Sequence, residues 1–202
     1  NLTIIRNTLE IISKTTGDAI DIHTLPLDDK KTYRLLQKGG TTGVFQLESS
    51  GMKRYLKDLK PTEFEDIVAM VALYRPGPMD FIPQYVERKH GKVRVEYIHA
   101  SLQPILQKTY GIVVYQEQIM EIARSLAKFS YGEADVLRKA VGKKIKELMI
   151  EQEEKLIHGM IHDAGVPGEL LPLRVQEAEG GLAARVDDGA EHLRVERQRR
   201  QP

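Results

Sequence analysis

Apolar residues recur at helical spacing from the first positions of the chain. Leu2, Ile5, Leu9 and Ile12 fall on one side of a helix that Gly17 and Asp18 close. Pro26-Leu27-Asp28 reads as a turn and N-cap for a short helix from Asp29 to Lys38, which Gly39-Gly40 end. The stretch Gly43-Val44-Phe45-Gln46-Leu47 is apolar enough for an extended segment. Ser49 or Ser50 then caps a basic helix from Gly51 to about Lys60. Thr62 and Glu65 have the spacing of a capping box and start a helix through Ile67, Val68, Val71 and Leu73. That helix must stop at Arg75-Pro76-Gly77-Pro78, because proline has no N–H to continue the ladder and disfavours helical geometry in the residue before it.

Further along, a helix is expected from Phe81 to Lys89, ended by His90-Gly91. Lys92 to Tyr97 alternates polar and apolar residues and reads as a short strand, with Ile112 to Tyr115 as its partner and a helical turn from Leu102 to Lys108 between them. Gln116 to Phe129 returns to helical spacing, with Ile119, Ile122, Ala123 and Leu126 on one side. Ser130 and Glu133 form a second capping-box pattern, opening a helix that Gly142 is expected to end. A last helix runs from Ile145 to about Asp163. The fold class is therefore mainly α, a multi-helix domain with a small two-stranded β element.

After Pro167 the chain changes character. Lys and Ile, frequent before, do not occur again, and Arg, Glu, Gly, Ala and Gln take over without a steady period. We expect residues 1–167 to form one domain and 168–202 an atypical tail, disordered or the product of a frameshift. The chain has no initiator Met and starts inside an apolar-periodic pattern, which suggests a fragment. There are no cysteines, so disulfides and thiolate metal sites are excluded. No apolar run approaches the roughly 20 residues that span a bilayer. His23, His90, His99, His158 and His162 show no spacing that points to a zinc site.

Net charge is close to zero, so composition alone announces no polyanionic partner. Its distribution does more. Lys53, Arg54, Lys57 and Lys60 face only Asp58 in one stripe. A second stripe from Arg124 to Lys146 holds Lys128, Arg138, Lys139, Lys143 and Lys144 against Glu133 and Asp135. Such stripes suit a groove for phosphates and equally suit solvated helix faces.

Six segments, in order, narrow the choice: Pro26-Leu27-Asp28-Asp29, Val44-Phe45-Gln46-Leu47-Glu48-Ser49, Tyr74-Arg75-Pro76-Gly77-Pro78, Arg88-Lys89-His90-Gly91, Tyr110 to Met120, and Leu137-Arg138-Lys139-Ala140-Val141-Gly142-Lys143-Lys144. Together they resemble the α subunit of bacterial DNA polymerase III, the C-family replicative polymerase. The resemblance implies the fingers region, beginning just after the palm. It also implies that the catalytic aspartates and the two Mg²⁺ ions they hold belong to the palm, so that this chain carries no catalytic or metal-ligating residue. Asp18, Asp21, Asp28 and Asp29 read instead as turn and N-cap residues.

What the resemblance leaves to this chain is substrate grip. Positioned cations lower the barrier to nucleotidyl transfer by holding charge where it develops. Arg138, Lys139, Lys143, Lys144 and Arg75 are the candidates for contact with the incoming dNTP. Lys53, Arg54, Lys57, Arg124 and Lys128 are the candidates for contact with template-primer DNA. The resemblance further implies a bacterial cytoplasmic, nucleoid-associated enzyme, with other holoenzyme subunits as partners through the full-length parent and no membrane. From another class, a non-enzymatic helical nucleic-acid-binding module is also consistent with the basic stripes.

Overall fold

A computed structural model describes residues 2–97 and 99–166. The expected tail at 168–202 lies outside the described residues. Nine α-helices carry the described part: α1 (Leu2–Thr16), α2 (Lys30–Gln37), α3 (Ser50–Leu59), α4 (Phe64–Leu73), α5 (Ile82–Lys89), α6 (Gln103–Leu106), α7 (Gln116–Ala127), α8 (Tyr131–Lys143) and α9 (Lys146–His162). Short 3₁₀ turns flank several of them.

Most boundaries follow from local chemistry. Asp29, rather than the expected Asp28, caps α2 by accepting from the backbone N–H groups of Lys31 and Thr32. Ser49, not Ser50, caps α3 through its hydroxyl and the Met52 N–H. Ser130 and Glu133 close the reciprocal capping box of α8 as expected. The box before α4 is shifted by one residue from the expected pair. Asp66 accepts from Thr62 N at 2.8 Å and Glu63 N at 3.3 Å, and Glu63 is the N-cap. Asp66 prevails over Glu65 because it faces inward and meets the Lys89 ammonium at 2.8 Å.

Two hydrophobic clusters organise the packing. In the first, α2 to α5 bring together Leu36, Met52, Leu56, Leu59, Met70, Leu73, Ile82 and Tyr85. In the second, α6 to α9 gather around Leu106, Ile119, Ala123, Leu126, Leu137 and Met160. Adjacent residues link them, with Ile112 in the first cluster and Val113 in the second. Tyr110 adds a T-shaped contact to Tyr85, and the Arg88 guanidinium donates to the Tyr110 carbonyl. At the end of α7 the crossing with α9 is so close that a Cβ on Gly159 would stand 2.6 Å from Ala127 Cβ. Only a glycine permits that approach. By contrast α1 has no buried residue, and Leu2 is 83% exposed.

Three further expectations are corrected. The described residues contain no strand, so the two-stranded β element does not form. Its donors are used otherwise. Ile112 N–H goes to the Thr109 carbonyl, while Val114 and Tyr115 N–H both go to the Gln118 side-chain oxygen, at 2.8 and 3.0 Å. A ladder to the expected strand at Lys92 to Tyr97 would need those groups free. Gly43 to Leu47 is not extended either. It is a closed turn pinned by the Thr41 hydroxyl on the Leu47 carbonyl at 2.5 Å, with Gln46 at φ 63°. Finally, Gly142 does not end α8. The helix continues through Lys143, and Lys144 takes the left-handed capping conformation at φ 54°.

Candidate functional site

Helix α8 buries Ala134, Leu137 and Ala140 against α7 and α9. Helical spacing therefore turns Tyr131, Asp135, Arg138, Lys139 and Gly142 to the opposite side. Asp135 sits at the centre of that side. It accepts from Arg138 Nη2 at 2.7 Å and Nε at 2.9 Å, and from Lys139 Nζ at 2.8 Å. Lys139 first and Arg138 second hold the Asp135 carboxyl below its usual range. Arg138 and Lys139 are thus brought together, but tethered. Lys143 and Lys144, at the exposed end of the helix, have no acidic partner among the described residues. They are freer than Arg138 and Lys139.

The amide of Gln116 reaches the same end, 3.3 Å from where a Gly142 Cβ would stand. Gln118, two residues further along α7, is buried. Its oxygen takes the two N–H groups described above, and its amide donates to Ile105 O and Thr109 Oγ1. Gln118 is therefore fully engaged in structure and unavailable to a ligand.

Arg124 and Lys128 belong to the end of α7. The Arg124 guanidinium lies 3.5 Å from the centroid of the Tyr131 ring, and Lys128 is an exposed C-cap. Lys60, Lys128 and Lys144 all occupy left-handed cap positions, at φ 48°, 54° and 54°. Glycine would be the less strained residue there. A lysine at that place brings its positive charge to the negative end of the helix dipole. Tyr131 and its stack on Arg124 escaped the sequence reading, because the two residues sit on different helices.

Lys53, Arg54 and Lys57 are carried by α3. Lys53 donates to Thr42 Oγ1 at 2.8 Å, which braces the neighbouring turn. Arg54 lies 5.2 Å from the centre of the Tyr55 ring, and Tyr55 packs edge-on against Tyr74. Arg75 follows Tyr74 and is exposed, with its backbone N–H on Leu73 O. A Cβ on Gly51 would stand 2.3 Å from the Tyr74 hydroxyl, so α3 and the Pro76 turn are in direct contact. The α3 cations and Arg75 thus share one region, while Arg138 to Lys144 belong to the packing of α7 to α9.

Glu133 ties α8 to α9 through the Lys155 ammonium. That contact first, and the Ser130 N–H and hydroxyl second, hold its carboxyl down at about 2, from an ordinary 4.5. The folded value lies below the unfolded one, so this tie is complete above about pH 4.5 and is lost as pH falls toward 2. Glu133→Gln is expected to flatten the acid limb of thermal stability in that window, read by circular dichroism at a series of pH values. An unchanged limb would count against the tie.

No group of three His, Cys, Asp or Glu residues that could hold a metal ion occurs among the described residues. Asp66 and Asp135 are consumed by cations and backbone donors, and Asp21 and Asp29 by capping. Among the described residues the carboxylates do not fit a Mg²⁺ site. No described helix is long and apolar enough to cross a membrane.

The family model for the bacterial DNA polymerase III alpha subunit finger domain matches residues 1–164. The chain belongs to this family. The DNA polymerase III subunit alpha of Halalkalibacterium halodurans is 52% identical over 161 residues, covering 80% of this chain and 14% of that protein. The subunit of the same name from Staphylococcus aureus strain COL is 52% identical over 159 residues, 79% of this chain and 15% of that protein. The chain spans only that small share of the relatives' length. Six ordered motifs thus led to the right family, and the finger domain is mainly helical as expected.

Proposed function

We propose that this chain is the substrate-gripping part of a template-directed DNA polymerase that acts in replication, in the bacterial cytoplasm at the nucleoid. The parent reaction is nucleotidyl transfer from a dNTP to a primer 3′ end with release of pyrophosphate. Lys143 and Lys144, with Arg138, Lys139 and Arg75, contact the incoming nucleotide. Lys53, Arg54, Lys57, Arg124 and Lys128 contact template-primer backbone. The Mg²⁺ ions and their carboxylate ligands belong to the polymerase outside this chain, and its other holoenzyme partners are met through the full-length parent.

The observation that carries this reading is the pair of unpartnered ammonium groups at the end of α8, in a chain of the finger-domain family. Lysines whose charge is not spent on neighbouring carboxylates are available to a triphosphate. Arg138 and Lys139 are held in place by Asp135, which fixes their direction at the cost of part of their charge. The chain alone is expected to extend no primer, because the described residues gather no carboxylates that could hold a metal ion.

Lysine acylation footprinting tests the assignment. The chain is modified alone, with primer-template DNA, and with DNA plus the complementary dNTP and Mg²⁺. DNA plus dNTP is expected to protect Lys143 and Lys144 several-fold more than DNA alone. Salt-sensitive protection that ignores the dNTP would favour a purely nucleic-acid-binding module. Primer extension by the purified chain would overturn the claim that it is inactive alone.

A further inference from the structure

Tyr131, the first residue of α8, is 69% exposed. One face of its ring is covered by the Arg124 guanidinium, 3.5 Å from the centroid. The exposure therefore belongs to the other face and the edge. A guanidinium over one face restrains the ring, so less side-chain freedom is lost when something stacks on the other.

The surroundings are cationic. Lys128, three residues before Tyr131, is an exposed C-cap. Along α8 the side that carries Tyr131 continues to Asp135, Arg138, Lys139 and Gly142, and it ends at Lys143 and Lys144. The distance from Tyr131 to Lys143 along the axis is about 18 Å, at about 1.5 Å per residue. The acids on this helix are already matched: Asp135 by Arg138 and Lys139, Glu133 by Lys155 and Ser130. An open aromatic face beside a cationic track is what unpaired nucleic acid recognises, because its bases expose π faces that a duplex hides.

We propose that the Arg124–Tyr131 stack is a platform for one base of an unpaired DNA strand, lying along the exposed side of α8 with Lys128 beside it. Tyr131 supplies the ring that stacks on the base, and Arg124 is a positioning residue that holds the ring. This rests on the nucleic-acid reading above and adds a preference for single strands over duplex.

The test uses the full chain and three fluorescent probes of about twelve nucleotides: oligo(dT), an abasic strand of the same length, and a blunt duplex. Tyr131→Ala is expected to weaken oligo(dT) binding by about 5- to 150-fold, the worth of one stacked base, with duplex binding unchanged. Tyr131→Phe keeps the ring and should keep the affinity. The abasic strand should bind the wild-type chain no better than oligo(dT) binds Tyr131→Ala. Equal binding of oligo(dT) by wild type and Tyr131→Ala, with duplex still bound, would overturn the platform and leave the DNA reading standing. Failure of the wild-type chain to bind any probe at low salt would overturn both. Because the ring is exposed, an unchanged thermal midpoint for Tyr131→Ala confirms that the affinities compare folded proteins.

Discussion

Asp66→Ala is expected to lower the unfolding free energy by about 3–5 kcal/mol, the range found when one partner of a buried ion pair is removed. The Asp66 and Lys89 side chains are only 1% and 8% exposed, and their charged atoms lie 2.8 Å apart. Truncating Asp66 would leave an ammonium in the protein interior, and it would also strip the acceptor from the Thr62 and Glu63 N–H groups. Both losses fall on the first turn of α4, whose far end delivers Tyr74 and Arg75. Urea unfolding measures the effect. The double variant Asp66→Ala with Lys89→Met should recover part of the loss, because no charge is then stranded. Strictly additive single-variant losses would show that the pair is not coupled and the account is wrong. Asp66 Oδ1 is buried without a partner, so the native arrangement carries one unsatisfied acceptor already.

What was legible in the chain beforehand is what depends on neighbours in sequence. Ser49 and the Ser130–Glu133 pair cap their helices through groups three residues away and were readable, Ser49 as one of two adjacent serines, while the cap of α2 was readable only to within one residue, at Asp28 for Asp29. The basic stripe of α8 was readable too. That Asp135, three and four residues before Arg138 and Lys139, takes up part of its charge came only with the structure. The shift from Glu65 to Asp66 was not readable, because Lys89 decides it from twenty-three residues away. Nor was the Arg124–Tyr131 stack, which depends on the angle between α7 and α8. The family assignment was legible for a different reason: it used ordered motifs, whereas placing each cation needed the packing of α3 and α8.

The false strand pair shows the same division and leads to the second large expected effect. Ile112 to Tyr115 has a strand's apolar composition, yet the Gln118 side chain takes the place of a neighbouring strand. It uses both ends of its amide, accepting from Val114 N and Tyr115 N and donating to Ile105 O and Thr109 Oγ1. Gln118→Leu preserves much of the volume and removes all four bonds. At about 1–3 kcal/mol for each buried polar group left unpaired, and with partial relaxation toward water, a total loss of about 3–5 kcal/mol is expected. The site of the damage matters as much as its size. Ile112 and Val113 join the two hydrophobic clusters, so loosening this segment uncouples α2 to α5 from α6 to α9. Hydrogen exchange should show it directly, with the Val114 and Tyr115 amides losing protection before those of α3 or α8. Gln118→Glu separates the two halves of the network. Its carboxylate can still accept from both N–H groups, while its second oxygen confronts the Ile105 carbonyl with no proton to offer. Stability should fall again, but protection at Val114 and Tyr115 should survive better than in Gln118→Leu. Equal exchange at those two amides in both variants would mean that they do not depend on the Gln118 oxygen.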